Sequence, residues 1–139
     1  MIPAKSTLKY AALRFALLLG GLGWSISFAF TFSSWQTSTD LLYGMGAEHQ
    51  ALLDYWLKMA SALFGCIGLL FLACLVKMNK YAVIIPLLAY GSIFIGSVLL
   101  FSAYNNSLDA QLHPTHIIDI PFCYIVGILI LYGTKKSSK

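Results

Sequence analysis

Charged side chains are scarce in this chain of 139 residues: Asp, Glu, Lys and Arg make up 10% of it, against roughly 25% in ordinary soluble domains. The three cysteines, Cys66, Cys74 and Cys123, form no CxxC pair. Each lies in an apolar run, so we expect small core residues and no disulfide framework. The Lys and Arg residues behind the formal charge of +4 lie in short clusters beside apolar runs, so no nucleic-acid partner is expected. This composition argues against a soluble domain.

The charges that are present are sorted by sign along the chain. All five acidic residues and all three histidines lie on one side of the apolar runs, and eight of the nine Lys and Arg residues lie on the other. Lys and Arg in short loops are retained in the cytoplasm, which explains such sorting in a polytopic membrane protein. Both termini are then predicted to be cytoplasmic. The eight cations on the predicted cytoplasmic side are Lys5, Lys9, Arg14, Lys77, Lys80, Lys135, Lys136 and Lys139.

Four apolar runs have about the ~20 residues that a membrane-spanning helix requires. They occupy residues 10–32, 57–76, 81–103 and 114–133, and the second helix is expected to begin before its span, outside the bilayer. The first run is longer than the ~7–15 residue apolar region of a signal peptide, so we expect a retained span. Short links favour antiparallel neighbours. The predicted fold is therefore a single all-α domain, an up-down-up-down bundle of four transmembrane helices.

Small residues recur at helical spacing on three of these spans. Ser61, Gly65 and Gly68 follow Asp54 and Lys58 at intervals of three or four residues, which places all five on one face of the second helix. Small side chains let helix backbones approach closely in lipid, so this face is predicted to contact another helix. The same reasoning predicts helix contacts for Ser92, Gly96 and Gly127.

Ionisable residues share two of these helical faces. Asp119 falls inside the fourth span, and His116 precedes it by three residues on the same face. A charged side chain at the membrane centre costs about 2.5–3.5 kcal/mol on insertion scales, so such residues normally face the bundle interior and pair. Lys58 is the only Lys or Arg on the predicted outer side. We therefore expect it to pair with Asp119, and locally with Asp54 one turn earlier.

These residues allow more than one interpretation. Asp54, Lys58 and Asp119 could form a structural salt-bridge latch. Together with His116 they could instead line a polar pocket for proton exchange, ion binding or a small amphipathic ligand. Metal binding is a separate hypothesis, because His113, His116 and Asp119 recur every three residues and are side chains that bind zinc. Their spacing matches no defined zinc motif, and no cofactor is predicted.

The sequence predicts a short helix within the connection after the first span. The hydroxyl and carboxylate groups of Thr37–Asp40 are typical helix-capping groups. Amphipathic aromatic residues are enriched at membrane interfaces, and the sequence predicts such a belt at the outer interface. Its members are Trp35, Tyr43, Tyr55, Trp56 and Tyr104.

The chain also resembles small bacterial four-span membrane proteins of the DoxX-like and BphX-like groups, over about residues 10–133. The segments that carry the resemblance are Leu42-Tyr43-Gly44-Met45-Gly46, and Tyr55-Trp56 leading into the small residues between Met59 and Gly68. The resemblance implies an accessory protein of the bacterial inner membrane. It assigns no catalytic residue to this chain.

Two hypotheses about function follow. Short connections and the lack of a catalytic motif favour a non-enzymatic accessory or assembly subunit of a larger membrane complex. The alternative is a minimal transporter or intramembrane enzyme that uses the outward-facing residues Lys58, His116 and Asp119. Lipid is the expected partner in both cases, with other membrane subunits or a second copy of the chain as further partners. A pocket lined by these residues favours the alternative, and a closed latch favours the accessory subunit.

Overall fold

The computed structural model of the protein describes residues 8–43, 50–107 and 115–135. Four stretches of the described chain are long and apolar enough to cross a membrane: Leu8–Phe32, Ala51–Val76, Ile84–Asn105 and Ile117–Thr134. The predicted all-α bundle of four long apolar helices is confirmed. The helices are α1 (Leu8–Ser25), α2 (Phe28–Phe32), α3 (Trp35–Tyr43), α4 (Ala51–Val76), α5 (Ile84–Asn105) and α6 (His116–Thr134).

The first span is a pair of helices and not one continuous helix. α1 ends at Ser25 and α2 begins at Phe28, and the N–H of Ser27 donates to the carbonyl of Trp24, three residues back, at 3.2 Å. Such a bond tightens the helix locally, and serine is one of the residues at which helices bend. The helix in the span predicted as residues 10–32 is therefore interrupted about two turns before its end.

The connection after α2 contains the predicted short helix, but a different residue begins it. Oγ of Ser34 accepts a hydrogen bond from the N–H of Thr37 at 3.2 Å, which is the geometry of a helix N-cap. The prediction that Thr37–Asp40 cap this helix is wrong, because these residues lie inside α3. Ser34 offers the same hydroxyl chemistry three residues earlier.

The second helix begins outside its predicted span, as expected. α4 has 26 residues and is therefore about 39 Å long at 1.5 Å per residue, which exceeds the ~30 Å hydrocarbon core of a bilayer. It ends at Val76 and is followed by a turn that contains Lys77 and Lys80. The carbonyl of Lys77 accepts from the N–H groups of Lys80 and Tyr81 at 3.0 and 3.1 Å. This turn delays the start of α5 to Ile84.

The helices contact one another unevenly. α1 packs against α4 and α6, α6 also packs against α5, and α2 extends the contact with α4. α4 and α5 are consecutive in the chain, yet they touch only sparsely. The order of contacts across the bundle is therefore α4, α1, α6, α5. The side between α4 and α5 is left loosely filled.

Small residues form the closest helix contacts, as predicted. A Cβ atom built on Gly68 would overlap the backbone nitrogen of Ser25 in α1, and one built on Gly127 would lie 2.8 Å from the carbonyl oxygen of Ala89 in α5. Any side chain at these two positions would push backbone away from backbone. The predicted contact residues that are buried are Ser61, Gly65, Gly68, Ser92, Gly96 and Gly127.

The core of the bundle is apolar and includes two of the three cysteines. Cys74 and Cys123 are buried, as predicted, whereas Cys66 is exposed. The prediction of a core position is wrong for Cys66, because it lies on a face of α4 that the described part of the chain leaves exposed. Phe71 is fully buried and packs against α1.

Candidate functional site

We call one end of the bundle the acidic end. There α2 and α5 end, at Phe32 and Asn105, and α4 and α6 begin, at Ala51 and His116. Three aromatic residues of the predicted belt are exposed near this end, and the side chain of Tyr43 lies outside the described residues. Tyr55 and Trp56 are exposed and pack edge to face with their ring centroids 6.0 Å apart. Tyr104 is 84% exposed. These positions suit an interface between membrane and water.

Lys58 pairs with the acid on its own helix. Its Nζ lies 2.8 Å from Oδ2 of Asp54, one turn earlier on α4. An acid four residues before a Lys is the favourable orientation for such a pair. The side chain of Asp54 is only 18% exposed, and its other oxygen is buried with no hydrogen-bond partner in the described part of the chain. The charge of Lys58 is therefore neutralised locally.

Asp119 is held by a hydroxyl group in the first turn of α6. Oγ1 of Thr115 donates to Oδ2 of Asp119 at 2.7 Å. The free backbone N–H groups and the dipole at a helix N-terminus favour a negative charge in this position. The predicted ion pair between Lys58 and Asp119 is wrong, because the ion pair found within the described ranges joins Lys58 to Asp54. The physical reason is that α4 and α6 stand apart at this end.

A cavity of about 220 Å³ separates them. Residues from all four spans line it, and most of its wall is apolar. This volume is far above the ~10–15 Å³ that a single water needs, and lies just below the ~300–1,000 Å³ of typical small-molecule sites. Its polar side chains are those of Ser27, Ser61, Thr115 and Asp119.

Aromatic rings form the deeper part of the cavity wall. The indole of Trp24 packs against the ring of Phe64 with centroids 5.0 Å apart, and against the ring of Phe122 at 5.8 Å in an edge-to-face arrangement. All three residues line the cavity. Trp24 is 7% exposed, and its Nε1 has no hydrogen-bond partner within the described ranges.

Sequence reasoning did not identify Trp24 as a site residue. It assigned Trp35 and Trp56 to the interface belt and gave Trp24 no role. Trp24 differs from them because it lies two turns inside an apolar run, where its indole N–H has no water to bind. That position is the signal that separates a cavity residue from a belt residue.

The histidine hypotheses concern groups that the structure does not describe. His113 lies outside the described residues, and so does the side chain of His116, although the backbone of His116 begins α6. Within the described ranges, His, Cys, Asp and Glu side chains form no group of three that could hold a metal ion. The metal site at His113, His116 and Asp119 therefore stays a prediction.

The four spans and their exposed apolar side chains define a small polytopic membrane protein whose helices contact lipid. Comparison of the chain with protein-family models, curated proteins and solved structures finds no match. The resemblance to DoxX-like and BphX-like proteins therefore stays a prediction.

Proposed function

We propose that this four-span membrane protein is a non-enzymatic binding protein that holds a small amphipathic molecule in the cavity at its acidic end. The observation that carries the proposal is the cavity of about 220 Å³, with mostly apolar walls and the carboxylate of Asp119. An apolar pocket with a few convergent polar groups is the usual form of a small-molecule site. An amphipathic ligand satisfies both parts of such a wall.

The order of residues along α6 suggests how a ligand would lie. Thr115 and Asp119 come first from the acidic end, and Phe122 follows one turn deeper. Asp119 is three residues from the start of α6, which is about 4.5 Å of helix rise. A ligand would therefore keep its polar group near the acidic end and its apolar body against Trp24 and Phe122.

Two contacts favour an open site over a closed salt-bridge latch. Lys58 is engaged by Asp54, so it does not close the cavity by pairing with Asp119. The sparse contact between α4 and α5 also leaves the cavity without a packed helix interface on that side. A latch would join α4 to α6 where the cavity now lies.

Filling the cavity should abolish binding. Ala60 lines the cavity, so the larger side chain of Ala60→Phe would occupy the space that a ligand needs. The probe is N-phenyl-1-naphthylamine, an uncharged amphipathic dye, and the signal is energy transfer from Trp24 after Trp35→Phe and Trp56→Phe replacements. We expect Ala60→Phe to weaken saturable dye binding at least roughly tenfold, or about 1.4 kcal/mol.

The matched control is Ala62→Phe, two residues further along α4. Ala62 does not line the cavity, so its replacement adds the same group to the helix and should leave binding unchanged. Equal dye binding by the two variants would show that the dye sits in the detergent micelle or elsewhere on the protein. Equal binding would therefore remove the support for a binding function of the cavity.

We also propose that the protein lies in a bacterial inner membrane with both termini in the cytoplasm and the acidic end outside. The support is the charge sorting: the described cations other than Lys58 lie at or near the opposite end, including Lys77, Lys80 and Lys135. Cysteine labelling in intact cells tests this orientation. Asn79 and Ser107 are both exposed, at opposite ends of the bundle.

In a cysteine-free background, an impermeant maleimide should label Ser107→Cys in intact cells and should label Asn79→Cys only after lysis. The reverse pattern would place the acidic end in the cytoplasm. Asn79 is a better site than its neighbour Met78, which is buried.

The accessory-subunit hypothesis also stays a prediction. It concerns partners and is compatible with ligand binding, since a subunit of a larger complex can hold a small molecule. The set of chains that co-purify with the protein in mild detergent tests it.

A further inference from the structure

We infer that the ligand of this cavity carries a positive charge, in the form of an ammonium group on a small apolar body. This inference rests on the proposed binding function and adds the chemical class of the ligand. Two independent features support the charge: no described Lys or Arg pairs with Asp119, and aromatic rings form part of the cavity wall. The apolar body of the ligand is inferred from the other residues of the cavity wall, which are mostly apolar.

The carboxylate of Asp119 lines the cavity without a cationic partner in the described part of the chain. The hydroxyl of Thr115 satisfies Oδ2, but a hydroxyl carries no charge. Lys58 is bound to Asp54 at 2.8 Å. The other described Lys and Arg residues lie on the first turns of α1, in the turn between α4 and α5, or after α6, all toward the opposite end of the bundle. The N-terminus of α6 and the hydroxyl of Thr115 stabilise this carboxylate in part, and a cation in the mostly apolar cavity would stabilise it further.

The aromatic rings add a second source of attraction for a cation. The faces of Trp, Tyr and Phe rings attract ammonium groups, and Trp is the strongest of the three. The ring of Trp24 contacts those of Phe64 and Phe122, and all three residues line the cavity together with Asp119. A carboxylate beside several rings favours an organic ammonium over an anion, and also over a metal ion, which prefers more oxygen ligands.

The experiment compares two molecules of one shape. Benzyltrimethylammonium carries a quaternary nitrogen, and neopentylbenzene has a carbon atom in its place and no charge. Binding is followed through the fluorescence of Trp24 in the Trp35→Phe, Trp56→Phe background, in maltoside micelles. We expect the cation to bind at least roughly tenfold more tightly than its uncharged counterpart.

Asp119→Asn should remove this preference for the cation, and Asp119→Glu should keep most of it. Asp40→Asn is the charge-matched control. Asp40 is an exposed acid on α3 at the same end that does not line the cavity, so its replacement should leave the preference intact. An equal loss in Asp119→Asn and Asp40→Asn would mean that the net charge of this end attracts the cation, and would overturn the inference.

The outcomes separate this inference from the binding function itself. Equal affinities for the two molecules, with both weakened by Ala60→Phe, would overturn the charge assignment and leave the binding site intact. Failure of both molecules and of the uncharged dye to bind would overturn the function.

The ammonium group could belong to a free molecule or to a lipid headgroup, and the membrane composition distinguishes them. The titration is repeated in nanodiscs of phosphatidylglycerol and in nanodiscs that also contain phosphatidylethanolamine. Competition by the ethanolamine lipid assigns the site to a headgroup, and unchanged affinity assigns it to a free cation. Both results support the ammonium chemistry.

Discussion

Gly68→Ala should weaken the bundle by about 1–3 kcal/mol, the usual range for overpacking a well-filled core. The added methyl group would overlap the backbone nitrogen of Ser25 and lie 2.8 Å from the carbonyl oxygen of Gly21, both on α1. Backbone atoms cannot rotate away as the end of a side chain can, so α1 and α4 would have to separate. We expect a lower melting temperature for the purified protein in detergent.

Gly91→Ala is the matched control, because the same methyl group on α5 would meet no atom within 4 Å. Replacing a helical glycine by alanine where there is room stabilises a helix by roughly 0.5–1 kcal/mol, since less backbone freedom is lost on folding. The same substitution should therefore act in opposite directions at the two positions. Equal melting temperatures for the two variants would mean that the contact between α1 and α4 is not tight at Gly68.

Gly65 should respond less than Gly68, although both belong to the contact face predicted from sequence. A Cβ at Gly65 would lie 2.6 Å from the ring of Phe28, which is a side chain on α2. A ring can shift by rotation, whereas the backbone of Ser25 cannot. Sequence spacing identified both glycines as contact residues, but only the structure ranks them.

The architecture was predictable from sequence because a bilayer imposes a strong constraint on it. Long apolar runs and the sorting of Lys and Arg indicate the number and order of the spans, and this needs no knowledge of which helices contact one another. The positions of Ser61, Gly65 and Gly68 followed from the same logic, since close helix packing in lipid needs small residues. The break between α1 and α2 was not predictable, because serine allows a bend in a helix without requiring one.

Of the predicted site residues with described side chains, Asp54, Lys58 and Asp119, only Asp119 lines the cavity, and its predicted pairing with Lys58 is wrong. Asp119 lies within the fourth span, as expected, because the span cannot reach full length without it. The expected partner Lys58 turns to Asp54, which is one turn away on the same helix and costs no helix rearrangement. Whether α4 and α6 approach each other at this end depends on the order of helices around the bundle. Helical spacing carries no information on that order, so the residues that line the cavity could not be derived from it.

Phe71→Ala should be the most damaging truncation on α4. Phe71 is fully buried, and its ring fills the space that a side chain at Gly20 would need, 2.6 Å from that Cβ position. Lipid tails are as apolar as the core, so the transfer free energy that drives such effects in water contributes little here. The lost dispersion contacts and the cavity left between α1 and α4 remain.

We therefore expect Phe71→Ala to lower the free energy of unfolding by about 3 kcal/mol, the lower end of the range for phenylalanine in soluble cores. The control is Phe94→Ala on α5, where the ring is 69% exposed and faces the membrane. Exposed substitutions usually change stability by less than about 0.5 kcal/mol. Unfolding titrations in mixed micelles of a mild detergent and dodecyl sulfate measure both values. A large loss in Phe94→Ala, with little change in Phe71→Ala, would mean that α5 packs against another protein surface and that the contact between α1 and α4 does not stabilise the fold.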